Sequence, residues 1–135
     1  MSIKTIETDI MDKLSTVITD LKIEGFPDNP NEYRLIHPKG AILVAYNSSE
    51  FDTEHHNGII CQLENLEYGL TLIVRNLRDT DGAYDYIDLI KSTLTGYAPT
   101  GCKKMYLRNI SFLTERDKLW QYGLTFVVPS ENYAQ

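Results

Sequence analysis

A chain of 135 residues fits one domain, and 42% apolar residues are enough for a core that needs no disulfide or metal staple. The formal charge of −6, from 19 acidic and 13 basic side chains, disfavours nucleic acid as a direct partner, because such a surface repels phosphate. The apolar runs are far too short for a helix across a bilayer, and Met1–Glu7 lacks the apolar stretch of a signal peptide, so the expectation is a cytoplasmic protein with no membrane partner.

Apolar residues at Ile3, Ile6, Ile10, Leu14, Val17, Ile18 and Leu21 recur at spacings of three and four, which predicts an amphipathic N-terminal helix within residues 1–22. Ser2 is placed to cap it, and Glu7, Asp9 and Asp12 lie toward the positive end of its dipole. Gly25-Phe26-Pro27-Asp28-Asn29-Pro30-Asn31 is dense in turn formers and cannot continue a helix. Ala41-Ile42-Leu43-Val44-Ala45-Tyr46 is continuously apolar and reads as a buried strand. Asn47 to Gly58 is polar and reads as an exposed loop, uncommitted to the core and able to reach a partner. Its candidate contact residues are Asn47, Ser48, Glu50, Phe51, Glu54, His55 and His56.

Ile59 to Leu63 and Leu66 to Val74 have strand character. Leu66, Tyr68, Leu70, Leu72 and Val74 share one parity while Cys61 and Leu63 occupy the other, which calls for a bulge or a tight turn near Glu64-Asn65, a bulge in one long strand being favoured. Asp79-Thr80-Asp81-Gly82 opens a second helix with Tyr84, Ile87, Ile90, Lys91 and Leu94 along one side, closed by Gly96. Strands around Met105 to Thr114 and Leu119 to Val128 follow, joined by a turn at Glu115-Arg116-Asp117-Lys118. Alternation along the last strand puts Trp120 beneath the helices with Leu124 and Phe126, the alternative being an exposed anchor at an interface. Pro129 is expected to end the ladder and leave residues 130–135 as a polar tail. The order α-β-β-α-β-β with short links predicts one α+β domain over residues 1–135, a mainly antiparallel four-stranded sheet with both helices packed on one face.

Glu54, His55 and His56, with Asp52 nearby, are metal-ligand types, but neighbouring imidazoles lack the helical spacing that aims two histidines at one ion. Asp79, Asp81 and Asp85 are accounted for by a helix start, and the distal glutamate of a calcium loop is missing. Cys61 and Cys102 share no ligand spacing and read as free thiols. The reading therefore assigns no catalytic, cofactor-binding or metal residues and expects a non-enzyme. Nine tyrosines suit both ordinary strands and protein interfaces.

Three stretches carry a family likeness: His37-Pro38-Lys39-Gly40 through Phe51, Asp81-Gly82-Ala83-Tyr84 with Leu94-Thr95-Gly96-Tyr97-Ala98-Pro99-Thr100-Gly101, and Leu119-Trp120-Gln121-Tyr122. Through them the chain resembles the small tail-terminator (tail-completion) proteins of Mu-like phages and prophages. The resemblance implies a non-enzymatic structural protein that caps the tail tube and forms the head–tail joining surface. It further implies a ring-forming homo-oligomer, a hexamer, with tail-tube and head-completion proteins as partners, found in the host cytoplasm and in the virion once assembled. It transfers no catalytic residue. The resemblance also allows a degenerate prophage remnant, and the residues alone leave open a small cytosolic adaptor or a metal-binding enzyme using the His55/His56 loop.

Overall fold

The computed structural model describes residues 2–27, 39–52 and 60–134. Helix α1 spans Ile3–Ser15, and the Ser2 side chain accepts from the Thr5 amide at 3.0 Å to cap it as expected. Ile6, Ile10 and Leu14 are its buried stripe. The helix stops six residues short of Leu21, because Thr16-Val17-Ile18-Thr19 is an unbroken β-branched run that loses rotamer freedom in a helix. Ile18 and Leu21 still reach the core from the irregular segment, while Val17 is exposed.

Five strands follow the helix: β1 Lys22–Gly25, β2 Gly40–Phe51, β3 Ile60–Val74, β4 Tyr106–Arg116 and β5 Leu119–Ala134. They form one sheet in the order β1-β2-β3-β5-β4, with helix α2 (Ala83–Leu94) between β3 and β4 in the chain. The expectation of four antiparallel strands is corrected in two respects. A short edge strand, β1, is added, and it runs parallel to β2 with Lys22 opposite Ala41. The remaining pairs are antiparallel.

Both helices lie on one face, as the sequence predicts. Their apolar stripes meet Ile42 and Val44 of β2, Leu66 to Val74 of β3 and Leu124, Phe126 and Val128 of β5 in a single core. Ala41, Leu43 and Ile73 form a smaller buried cluster of opposite parity, with Leu119 against it. The buried stripe of α2 is Ala83, Tyr86, Ile90 and Leu94, so Tyr84 faces out rather than in. Gly82 precedes the helix where a Cβ would stand 2.7 Å from the Leu77 carbonyl oxygen, an approach only glycine permits. Gly96 takes φ +87° just past the helix, the left-handed conformation expected there.

Two strand expectations change. β3 is one long strand, as predicted, but the register slips on its partner, between Tyr46 and Ser48 of β2, and Glu64-Asn65 pairs regularly. Asn47 is the extra residue, and its amide lies over Gly69, where a Cβ would stand 2.8 Å from Nδ2. Pro129 does not end β5, which continues to Ala134 in place of a polar tail. Its ring faces the side that β4 leaves unpaired, since β4 begins opposite Val127, and its carbonyl oxygen accepts from the Lys103 amide at 2.8 Å. The β4–β5 turn has positive φ at both Asp117 and Lys118, matching the twist of a two-residue hairpin.

Candidate interaction surface

The seven residues proposed from sequence divide between two regions. Asn47, Ser48, Glu50 and Phe51 are not loop residues but the far half of β2, paired with Glu67, Asn65 and Glu64 of β3 across the slip at Asn47. The correction has a simple cause, since hydropathy reports burial rather than hydrogen bonding, and a strand wet on both faces reads as a loop. Glu54, His55 and His56 lie outside the described residues.

These residues belong to an arm in which β2, β3 and β5 run past the end of β4. Ser48 Oγ donates to Glu67 at 3.2 Å, and Glu67 takes an ion pair from Arg108 at 3.3 Å, tying the base of the arm to β4. Farther out, the Asp52 carboxylate accepts from the Leu63 amide at 2.6 Å and the Asp52 amide donates to the Leu63 carbonyl. Phe51 stands at this end with about half its surface exposed (51%). Cys61, Gln62, Leu63, Lys103 and Glu131 line a shallow depression beside Asp52, spanned by a Lys103–Glu131 contact of 3.8 Å.

A second exposed apolar region lies at the opposite end of the sheet, and of its members the sequence reading weighed only Trp120 as an interface anchor. Phe112 of β4 meets Tyr122 edge-on at 5.6 Å and Trp120 at 6.2 Å between ring centroids. Tyr84 extends the group from α2, with the Arg78 guanidinium 5.7 Å from its ring. Burial raises the Tyr122 phenol, and Tyr84 beside it adds to the shift. Trp120 is therefore half-buried at a corner of the molecule rather than fully beneath the helices. The alternation of Trp120, Tyr122 and Leu124 was the available signal; it gives the face of the strand but not how far the helices cover it.

On the sheet face opposite the helices, an open trough of about 400 Å³ is floored by Ala45, Gly69, Thr71, Gly123 and Thr125, with Phe26 and Leu113 at its sides. Its described lining offers hydroxyls and the Asn47 amide but no acid, base or thiol. β4 forms the sheet edge here and carries exposed Tyr106, Phe112 and Leu113. Its pairing with β5 slips twice, at Leu107/Asn109 and Phe112/Thr114, which bends the edge and hinders strand addition.

Cys61 and Cys102 are separate free thiols, and burial raises the Cys102 thiol away from its reactive thiolate. Among the described residues no group of three or more His, Cys, Asp or Glu side chains is placed to hold a metal ion, and no helix is long and apolar enough to cross a membrane.

No curated protein matches the chain. The family model described as Gp37 protein matches residues 10–134, a span that takes in the second half of α1, all of α2 and all five strands. The chain belongs to the Gp37 family, a phage-derived protein family.

Proposed function

We propose that this chain is a non-enzymatic structural protein of the phage tail, of tail-terminator type, which caps the tail tube as a ring and presents the head–tail joining surface. Membership in a phage-derived family supports the setting. The described residues of the three stretches that resemble tail terminators fall mainly in β2, in α2 with the turn after it, and in β5, so they span the fold rather than one corner of it.

The observation that carries the reading is the apolar surface left outside the core. Tyr106, Phe112 and Leu113 on β4 are 45%, 53% and 50% exposed, with Phe51 at the far end of β2. Large apolar side chains left exposed along an edge strand are candidate contact residues, and aromatics are the side chains enriched where proteins meet. A contact between unlike surfaces, repeated around an axis, closes and stops, as a cap on a growing tube must.

Native mass spectrometry of the purified chain, alone and with purified tail tubes, tests the proposal. A closed oligomer, or a single ring's worth of subunits bound at a tube end, is the expected result. A monomer at every concentration that ignores tubes would leave the adaptor and remnant readings.

A further inference from the structure

β2 pairs with β3 in two registers that meet at one point. From Gly40 to Tyr46 the pairing is regular, and from Ser48 to Phe51 it is displaced by one, with Asn47 left over. β3 keeps one unbroken register on β5 through the same rows, so the displacement belongs to the far half of β2 alone. Side chains alternate between faces, so one residue of displacement decides a face. With the slip, Phe51 stands opposite Glu64, which shares the parity of Leu66 and Tyr68, and lies on the side that carries the helices. Without it, Phe51 would stand opposite Leu63 on the other side.

Several modest interactions hold the slipped register. Ser48 Oγ donates to Glu67 at 3.2 Å, the Tyr46 and Ser49 hydroxyls lie 2.7 Å apart, and the Asp52 carboxylate accepts from the Leu63 amide at 2.6 Å. The Asn47 amide uses the room left over Gly69. These groups are exposed or half-buried, where a hydrogen bond exchanges with water at small net gain. The unslipped register would take Asn47 into the ladder and set Phe51 beside Leu63, an apolar cross-strand pair. It would also set Glu50 directly opposite Glu64, and like charges so placed repel. Asn47, Ser48, Glu50 and Phe51 are all exposed, so the burial that fixes register in the body does not fix it here.

We propose that the far half of β2 is a register switch with Asn47 as its slack residue. In the state described, Asn47 is bulged and Phe51 lies on the helix side. In the other state Asn47 enters the ladder and Phe51 crosses to the opposite side, and repulsion between Glu50 and Glu64 keeps that state the minor one. The exposed aromatic at the arm's end thereby changes face through a displacement of one residue. The switch goes beyond the assembly reading and does not depend on it.

The experiment uses the full isotope-labelled chain and reads proton–proton contacts between the two strands by NMR. In the wild type Glu50 is expected against Asn65. Ser48→Ala removes the hydrogen bond to Glu67, and Glu64→Lys turns the repulsion at Glu50 into an attraction. In the double variant the ratio of unslipped to slipped register is expected to rise on the order of tenfold. Glu50 then makes contacts at position 64, and the Phe51 ring meets the Leu63 methyl groups. Deleting Asn47 in that background removes the slack residue, so a regular ladder should return Glu50 to Asn65. A double variant that keeps Glu50 against Asn65 alone, or that loses its cross-strand contacts beyond Tyr46, overturns the switch. So does a deletion variant that leaves Glu50 at position 64. If the double variant does not fold, Glu64→Gln takes its place: a smaller shift toward position 64 supports the switch, and no shift overturns it.

Discussion

The same three strands, β2, β3 and β5, pass through two environments. In the body of the sheet Val44, Tyr68, Leu70, Leu124 and Phe126 are at most 1% exposed beneath two helices. In the arm the strands keep their ladder, but Phe51 and Glu50 are exposed, and Cys61 and Leu63 are half-buried. Backbone pairing continues across both regions while the covering layer does not. Hydrogen bonds define the strand; burial supplies most of the stabilisation, at roughly 25 cal/mol per Å² of apolar surface removed from water.

The largest expected effect tests that difference in the body. Phe126→Ala removes a fully buried ring and should cost about 3–5 kcal/mol in urea unfolding. A cost below about 1 kcal/mol there would mean the helices do not close over the sheet as described.

A smaller effect sharpens how the covering layer is held. The Tyr86 hydroxyl of α2 donates to Asp20 Oδ2 at 2.6 Å, and Lys39 reaches Asp20 at 3.4 Å and Asp81 at 3.6 Å. The Tyr86 hydrogen bond is the main cause that lowers the Asp20 carboxyl below its usual range, with Lys39 assisting and partial burial opposing. Tyr86→Phe should cost about 1 kcal/mol at neutral pH, discounted for the exposed carboxylate. A carboxyl lowered in the folded state stabilises it above the unfolded value of about 4, and that share is lost as pH falls through the lower folded value. The gap between wild type and Tyr86→Phe should therefore narrow below about pH 4 in thermal unfolding. A gap that widens in acid would give the hydrogen bond the wrong sign.

The smallest effect belongs to the arm. Leu63→Ala should cost no more than about 1 kcal/mol, since its side chain is already half in water. A cost matching Phe126→Ala in the isolated chain would erase the contrast between the two regions.

Both helices, the long β3 and the β4–β5 hairpin were legible because each carries its own periodicity or turn chemistry. The buried parity of β3 holds from Leu66 to Val74, and its apparent change at Cys61 and Leu63 marks where the helices end rather than a bulge. β1 was hidden because Lys22–Gly25 is four residues long and pairs with a strand far along the chain. Asn47 to Phe51 read as loop for the same reason that Ser130 to Ala134 read as tail: polar residues paired in a ladder look like unpaired ones. Of the candidate contact residues, Phe51 was named from sequence and stands exposed at the arm's end, whereas Phe112 and Tyr84 were not singled out as a surface.

By itself the sequence determined the class of the fold, the inward stripe of α1 and the buried parity of the central strands. These are local properties, written in the spacing of apolar residues and in the conformational limits of glycine, proline and β-branched side chains. The tertiary structure alone decided the parallel edge strand, the length of the arm, the slip at Asn47 and the gathering of Phe112, Trp120, Tyr122 and Tyr84 at one corner. Each of those depends on which distant residues become neighbours, and on how far two short helices reach across a sheet longer than themselves.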